Sequence, residues 1–231
     1  NGVGKTTLLR TIAGLEEITS GEIRIGGKVV NDMSPRDRNI AMVFQSAMNS
    51  LNPVLTIEEQ FADVLRHHKG MNNEQAKDRA EKLLDLVNIP RHRLTEYPHQ
   101  FSGGMRQRLV IAIALALNPK LIIMDEPTTA LDVTIQAQII ELFKDLSIKM
   151  GLTLIFIAHD LAIVRDLCDR VVVMQHGRIV ETGSSEDVFA KPKQDYTADL
   201  ISAIPNIDPD IHLFGDGAGV GTHEPNQQEN S

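Results

Sequence analysis

Leu121-Ile122-Ile123-Met124-Asp125-Glu126 is an apolar run that ends in two acids, and its reading decides the fold. Four successive apolar residues suit a strand inside a parallel sheet covered on both faces. In open α/β sheets the ligand crevice lies beyond the carboxyl ends of the strands, where Asp125 and Glu126 would emerge. Outward from this strand the same alternation repeats. Ile40 to Phe44, Thr153 to Ala158 and Val171 to Met174 are short apolar runs, and helical periodicity covers Thr6 to Leu15, Ile135 to Met150 and Leu161 to Leu167. Such alternation predicts βαβ units and a mainly parallel sheet. Between Thr56 and Leu117 the period is helical, interrupted at Gly70, at Pro90 and around Pro98 to Gly104, so a helical insert divides the sheet. Gly26-Gly27, flanked by Glu22 to Ile25 and Val29 to Val30, predicts a β-hairpin.

Asn1-Gly2-Val3-Gly4-Lys5-Thr6-Thr7 matches the back end of a phosphate-binding loop, G-x-x-x-x-G-K-[ST]. Glycines let backbone N–H groups curl around phosphate oxygens, and the helix that follows adds its positive end. In that pattern Lys5 reaches the β- and γ-phosphates and Thr6 places its hydroxyl on Mg²⁺, a hard cation that prefers oxygen ligands. Asp125 is a second oxygen ligand for Mg²⁺, direct or through water, and Glu126 is placed to orient and deprotonate an attacking water. Phe101-Ser102-Gly103-Gly104-Met105 precedes another apolar helix and forms a second phosphate-ready helix start, with Ser102 as its cap. One nucleotide does not need both. Two such domains arranged head to tail, each covering the other's ATP, account for the pair.

Composition narrows the function class. The 231 residues carry a net charge of -8, 42% are hydrophobic, and Cys168 is the single cysteine. That length can bury a real core, and a lone cysteine excludes a disulfide scaffold and favours a reducing compartment. Cys168 reads as a buried structural thiol. No apolar run approaches the ~18 residues of a membrane span. An acidic balance argues against nonspecific nucleic-acid binding. Asp208, Asp210, Asp216, Glu224 and Glu229 account for more than half of the net charge. They lie in a stretch without Lys or Arg, so residues 206–231 are expected to form a disordered acidic tail.

These residues resemble the nucleotide-binding domain of ATP-binding cassette (ABC) transporters over residues 1–205, with the helical insert at about 47–118. The matching marks are Gly2 to Thr7 (Walker A), Gln45 (Q-loop), Phe101 to Met105 (the family signature), Leu121 to Glu126 (Walker B), Ala130-Leu131-Asp132 (D-loop) and His159 (the switch histidine). The resemblance implies a P-loop NTPase fold, a RecA-like core with an inserted α-helical subdomain. It also implies that Asn1 to Thr7 hold ATP and that Thr6, Gln45 and Asp125 hold Mg²⁺. Glu126, His159 and Gln45 would then be the catalytic set, with Gln45 coupling the γ-phosphate to the helical insert and His159 contacting that phosphate. Ser102, Gly103 and Gly104 would bind ATP held by a second ABC subunit, and Asp132 would line the seam between the two.

Within the family, Met48 to Pro53, Phe101 to Arg108, Asp125 to Gln138 and Tyr196 to Pro205 resemble the ATPases of oligopeptide and dipeptide importers. Gly21 to Gln45, including Asp37-Arg38, is closer to sugar-importer ATPases. The resemblance therefore implies a peripheral subunit on the cytoplasmic face of the membrane. It would be partnered by transmembrane permease subunits and served indirectly by an extracytoplasmic solute-binding protein. Import of sugar, nickel or another small solute is the alternative, followed by a soluble ABC ATPase of translation or DNA repair. Against the family pattern, the first strands, the adenine-stacking aromatic residue and the first loop glycine would precede residue 1. The chain as given is therefore expected to be N-terminally truncated and to bind ATP weakly or not at all by itself.

Overall fold

The computed structural model describes residues 4–43, 50–127, 131–158 and 160–203. Its centre is a three-stranded parallel sheet, ordered β3 (Ile40–Val43), β4 (Leu121–Asp125) and β5 (Thr153–Ile157). Ile40 pairs with Leu121 and Leu121 with Thr153, so the three strands run in step; Asp125 and Ile157 end side by side, and Val43 ends one residue earlier, level with Met124. The pleat sends alternate side chains to opposite faces. Leu121 and Ile123 join Ile40, Met42, Ile155 and Ile157 on one face, against Leu9, Ile12 and Ala13 of helix α1 (Lys5–Ala13). Ile122 and Met124 join Val43 and Phe156 on the other face, in a larger core with the remaining central helices. Burial on both sides explains why β4 reads as a continuous apolar run. Each fully buried aliphatic side chain contributes about 1.5–3 kcal/mol.

Among the described residues between β3 and β4 the elements are helical: α2 (Ile57–Lys69), α3 (Asn73–Leu86), two short 3₁₀ turns at Arg91–Thr95 and Pro98–Gln100, and α4 (Gly103–Leu115). Local chemistry sets their ends. Thr56 and Glu59 form a reciprocal capping box at the start of α2, with bonds of 2.7 Å and 3.2 Å, and Asn72 and Gln75 form another at the start of α3. Gly70, in the left-handed conformation, ends α2. Phe61, Leu65, Leu83, Leu84, Leu109 and Leu115 are fully buried in their common core. Helix α5 (Val133–Met150) then crosses from β4 to β5, which makes this pair a βαβ unit.

The expected helix at Thr6 to Leu15 is one residue early and two short, because Gly14 adopts φ 80° and stops it. The glycine hairpin is present as β1 (Arg24–Ile25) and β2 (Lys28–Val29). One expectation is corrected. Val171 to Met174 is not a further parallel strand, but lies in β6 (Arg170–Gln175), paired antiparallel with β7 (Arg178–Ser184) in a separate two-stranded sheet. The reason is the turn: His176 and Gly177 both have positive φ, the geometry of a two-residue hairpin that reverses the chain. Helices α6 (Leu161–Leu167), α7 (Ser185–Ala190) and α8 (Asp195–Ser202) complete the described chain. The acidic tail lies outside the described residues. Among the described residues no helix is long and apolar enough to cross a membrane.

Cys168 follows α6 and is half-buried, beside Val164, Val171 and Val188. Burial, helped by the neighbouring Asp169 carboxylate, pushes its thiol up to about 11 from 9.0. At pH 8 both values lie above the solution pH, so the thiolate is expected to be about 100-fold scarcer than for an unperturbed thiol. Iodoacetamide labelling followed by mass spectrometry should therefore be slow in the folded protein and fast in denaturant. Equal rates in the two conditions would contradict the shielding of this half-buried thiol.

Candidate functional site

The carboxyl end of β4 and the amino end of α1 meet. The Thr6 hydroxyl donates to Asp125 Oδ2 at 3.1 Å, joining residues 119 positions apart in sequence. Two features bring them together. Leu9 and Ala13 pack on Leu121 and Ile123, which lays α1 across the sheet, and the first turn of the helix then overhangs the strand end. Among the described helices none has Asp125 or Glu126 as its cap. The Glu126 N–H instead donates to the Ile157 carbonyl at 3.1 Å, extending the β4–β5 ladder by one bond. Glu126 itself has φ 49°, a left-handed conformation that costs a residue with a Cβ about 1–2 kcal/mol. That backbone turns the chain sharply out of the strand at the edge of the crevice.

Gly4 precedes α1 with φ 107°. A Cβ there would sit 2.8 Å from the Cα of Gly177, so the β6–β7 turn presses on the loop and only glycine fits. Lys5 and Thr6 are half-buried in the first turn of α1, and Thr7 is exposed. At this end of the helix the free N–H groups and the macrodipole favour an anion. Thr6 and Asp125 supply a hydroxyl and a carboxylate side by side, a hard oxygen set that fits a small divalent cation completing its shell with water and phosphate oxygens. Asn1, Gly2, Val3, Gln45 and His159 lie outside the described residues. The strand that precedes Gln45 ends at Val43, level with Met124, and the strand that precedes His159 ends at Ile157, level with Asp125.

The second predicted anion site is also built on a helix start. Ser102 caps α4 by accepting from the Met105 N–H at 3.4 Å, and it is exposed while Gly103 is half-buried. Gly104 is buried, and a Cβ on it would lie 2.7 Å from Cγ2 of Ile135 on α5. Its lack of a side chain therefore serves α4–α5 packing, a role the Ser-Gly-Gly pattern did not suggest. Asp132, exposed, caps α5 by accepting from the Ile135 N–H at 2.9 Å. Sequence reasoning also missed Arg93. Its guanidinium lies 4.1 Å from the centroid of the Phe101 ring, pairs with Glu96 at 2.7 Å and donates to the Gln100 carbonyl at 3.0 Å. These contacts fix the two residues before Ser102. The pair of Arg93 and Glu96 at i and i+3 was the available sequence signal. Glu96 is held below the usual carboxylate range, chiefly by this hydrogen bond.

Comparison with known proteins finds a family model and similar chains. The family model described as ABC transporter matches residues 1–129. The oligopeptide transport ATP-binding protein AppD of Bacillus subtilis (strain 168) is 46% identical over 224 residues, covering 91% of this chain and 68% of that protein. OppD of the same organism, also an oligopeptide transport ATP-binding protein, is 50% identical over 196 residues, 81% of this chain and 55% of its own length. The chain thus spans only about half to two thirds of these relatives. Among solved structures, cbiO1 from Clostridium perfringens, part of the ABC transporter complex cbiONQ, superposes with a TM-score of 0.73 at 31% identity, covering 83% of this chain and 76% of that one.

Proposed function

We propose, because this chain belongs to the ABC transporter family, that it is the ATP-hydrolysing subunit of an importer for oligopeptides or dipeptides. The observation that carries the reading is the 3.1 Å bond between Thr6 and Asp125, which puts a phosphate-loop hydroxyl on the acid at the end of the neighbouring strand. The substrate class rests on the relatives, which include oligopeptide and dipeptide transport ATP-binding proteins and a glutathione import ATP-binding protein. We read residues 1–205 as the ATPase domain and the helices between β3 and β4, about 47–118, as its insert.

In this proposal the N–H groups and the positive end of α1, with Lys5, bind the β- and γ-phosphates of ATP. Thr6 and Asp125, with Gln45, would hold Mg²⁺, which when bound offsets the charge that builds on the phosphate oxygens. Glu126 accepts a proton from the attacking water, and His159 steadies the γ-phosphate end. Catalysis would then be mainly positioning and charge stabilisation by these groups. Ser102 and Gly103, exposed or half-buried at the start of α4, would meet the ATP of a second ABC subunit. Closure of the pair would act on permease subunits at the cytoplasmic face of the membrane, with an extracytoplasmic binding protein delivering the solute.

The test is reconstitution of the natural subunit with its membrane partners in liposomes. Mg²⁺-dependent phosphate release coupled to uptake of a labelled oligopeptide is the expected result. Release coupled to a sugar or to nickel instead would overturn the substrate class. No ATP-dependent phosphate release at all would overturn the enzymatic reading.

A further inference from the structure

Helix α1 carries its phosphate-facing residues at one end and an unusual clamp at the other. Gly14 and Leu15 close the helix by donating to the carbonyls of Thr11, at 3.0 Å, and Arg10, at 2.8 Å. Neither N–H reaches the Ile12 carbonyl. Arg38 does: its Nη1 donates to Ile12 at 2.8 Å and to Thr11 at 2.9 Å. The same guanidinium donates through Nε to the Met33 carbonyl at 3.0 Å and through Nη2 to the Asn31 carbonyl at 3.1 Å. Arg38 is only 6% exposed, and among the described residues it has no ion pair. The negative end of the helix dipole and four carbonyls take the place of a carboxylate. Gly14 leaves the room, since a Cβ there would lie 2.6 Å from Nε.

The other half of the clamp is itself braced. The Asn31 side chain accepts from the Ile23 N–H at 2.8 Å and donates to the Gly21 carbonyl at 3.1 Å, tying the β1–β2 arm together. Arg38 therefore bolts the tail of α1 to a preformed arm. Apolar contacts from Leu9 and Ala13 hold α1 onto the sheet, but such contacts have no direction and resist sliding poorly. Directional bonds at the tail supply that restraint. A helix of nine residues is a rod about 13 Å long, so a shift at the tail reaches the head undiminished.

We infer that Arg38 is a positioning residue for the phosphate loop, joining the tail of α1 to the β1–β2 arm so that Lys5 and Thr6 keep their register with Asp125. This rests on the reading that α1 receives the phosphates of ATP. Misplacement of about 1 Å costs up to 100-fold in rate in comparable cases.

The test uses Arg38→Ala and Arg38→Lys in the natural subunit, with thermal unfolding, binding of a fluorescent ATP analogue, and the ATP and Mg²⁺ dependence of turnover. Arg38→Ala is expected to fold and to raise the KM for ATP and the half-saturating Mg²⁺ concentration about tenfold, with a smaller change in kcat. Arg38→Lys, which keeps the charge but cannot span four acceptors, is expected to recover part of that loss. A folded Arg38→Ala with unchanged KM and Mg²⁺ dependence overturns the assignment. So does loss of folding in both variants, which would make the clamp purely structural. A parent subunit that binds no ATP analogue overturns the ATPase reading, and this one with it.

Discussion

Replacing Glu126 with glutamine is expected to cut ATP turnover by at least 100-fold while leaving ATP binding intact. Positioned general bases contribute about 10²–10⁴ in rate, and glutamine keeps the volume while losing the proton acceptor. The bond from the Glu126 N–H to Ile157 and the turn at φ 49° are main-chain features that glutamine is expected to keep. Binding groups on α1 are untouched. ATP should then persist on the protein, and in the proposed arrangement the closed pair should accumulate. Single-turnover phosphate release together with size-exclusion chromatography in ATP would measure both effects. Turnover at the parent rate would remove Glu126 from the mechanism.

Asp125→Asn should be comparably damaging for a different reason. Asparagine can still accept from the Thr6 hydroxyl, so the 3.1 Å contact and the fold are expected to survive. What disappears is a negative charge beside the site proposed for Mg²⁺, and with it affinity for a hard cation. Metal stabilisation of transferring phosphate is worth several kcal/mol, so turnover at a fixed, limiting Mg²⁺ concentration should fall about 100-fold or more. Raising Mg²⁺ should restore part of it, which separates this variant from Glu126→Gln, where added metal has nothing to correct. An Mg²⁺ titration of both proteins makes the comparison. Identical titrations for the parent and Asp125→Asn would dismiss Asp125 as a ligand.

The elements that carry these predictions were legible because each has a local cause. Four apolar residues before Asp125 could only be a doubly buried strand, and the Gly4-Lys5-Thr6 start with Gly14 downstream marks both ends of a helix. Strand β7 was not legible. Arg178-Ile179-Val180-Glu181-Thr182-Gly183-Ser184 mixes polar and apolar residues, and its turn places His176 rather than Asn or Asp at a positive φ. Arg38 was also hidden. A single arginine between Asp37 and Asn39 looks like surface charge until the carbonyls of a distant helix end are brought around it. Gly104 was read for its small size toward a ligand, and the fold shows that the same small size also makes room for Ile135. In each case the missing information was which segment arrives from elsewhere in the chain, which propensity and spacing do not contain.

The order of the strands also bears on how the molecule reaches its native state. Strands β4 and β5 are joined through one helix, while β3 must find β4 across a connection roughly three times longer. Closing the longer loop costs about 1 kcal/mol more in chain entropy. The Asp125 strand should thus be paired with β5 first, and β3 should dock last, slowing the final step as long-range contacts do. Early collapse of α2, α3 and α4, whose side chains share one core, shortens that search. Substitutions that loosen this helical core, for example at Phe61 or Leu84, are then expected to slow refolding of a nucleotide site they never touch.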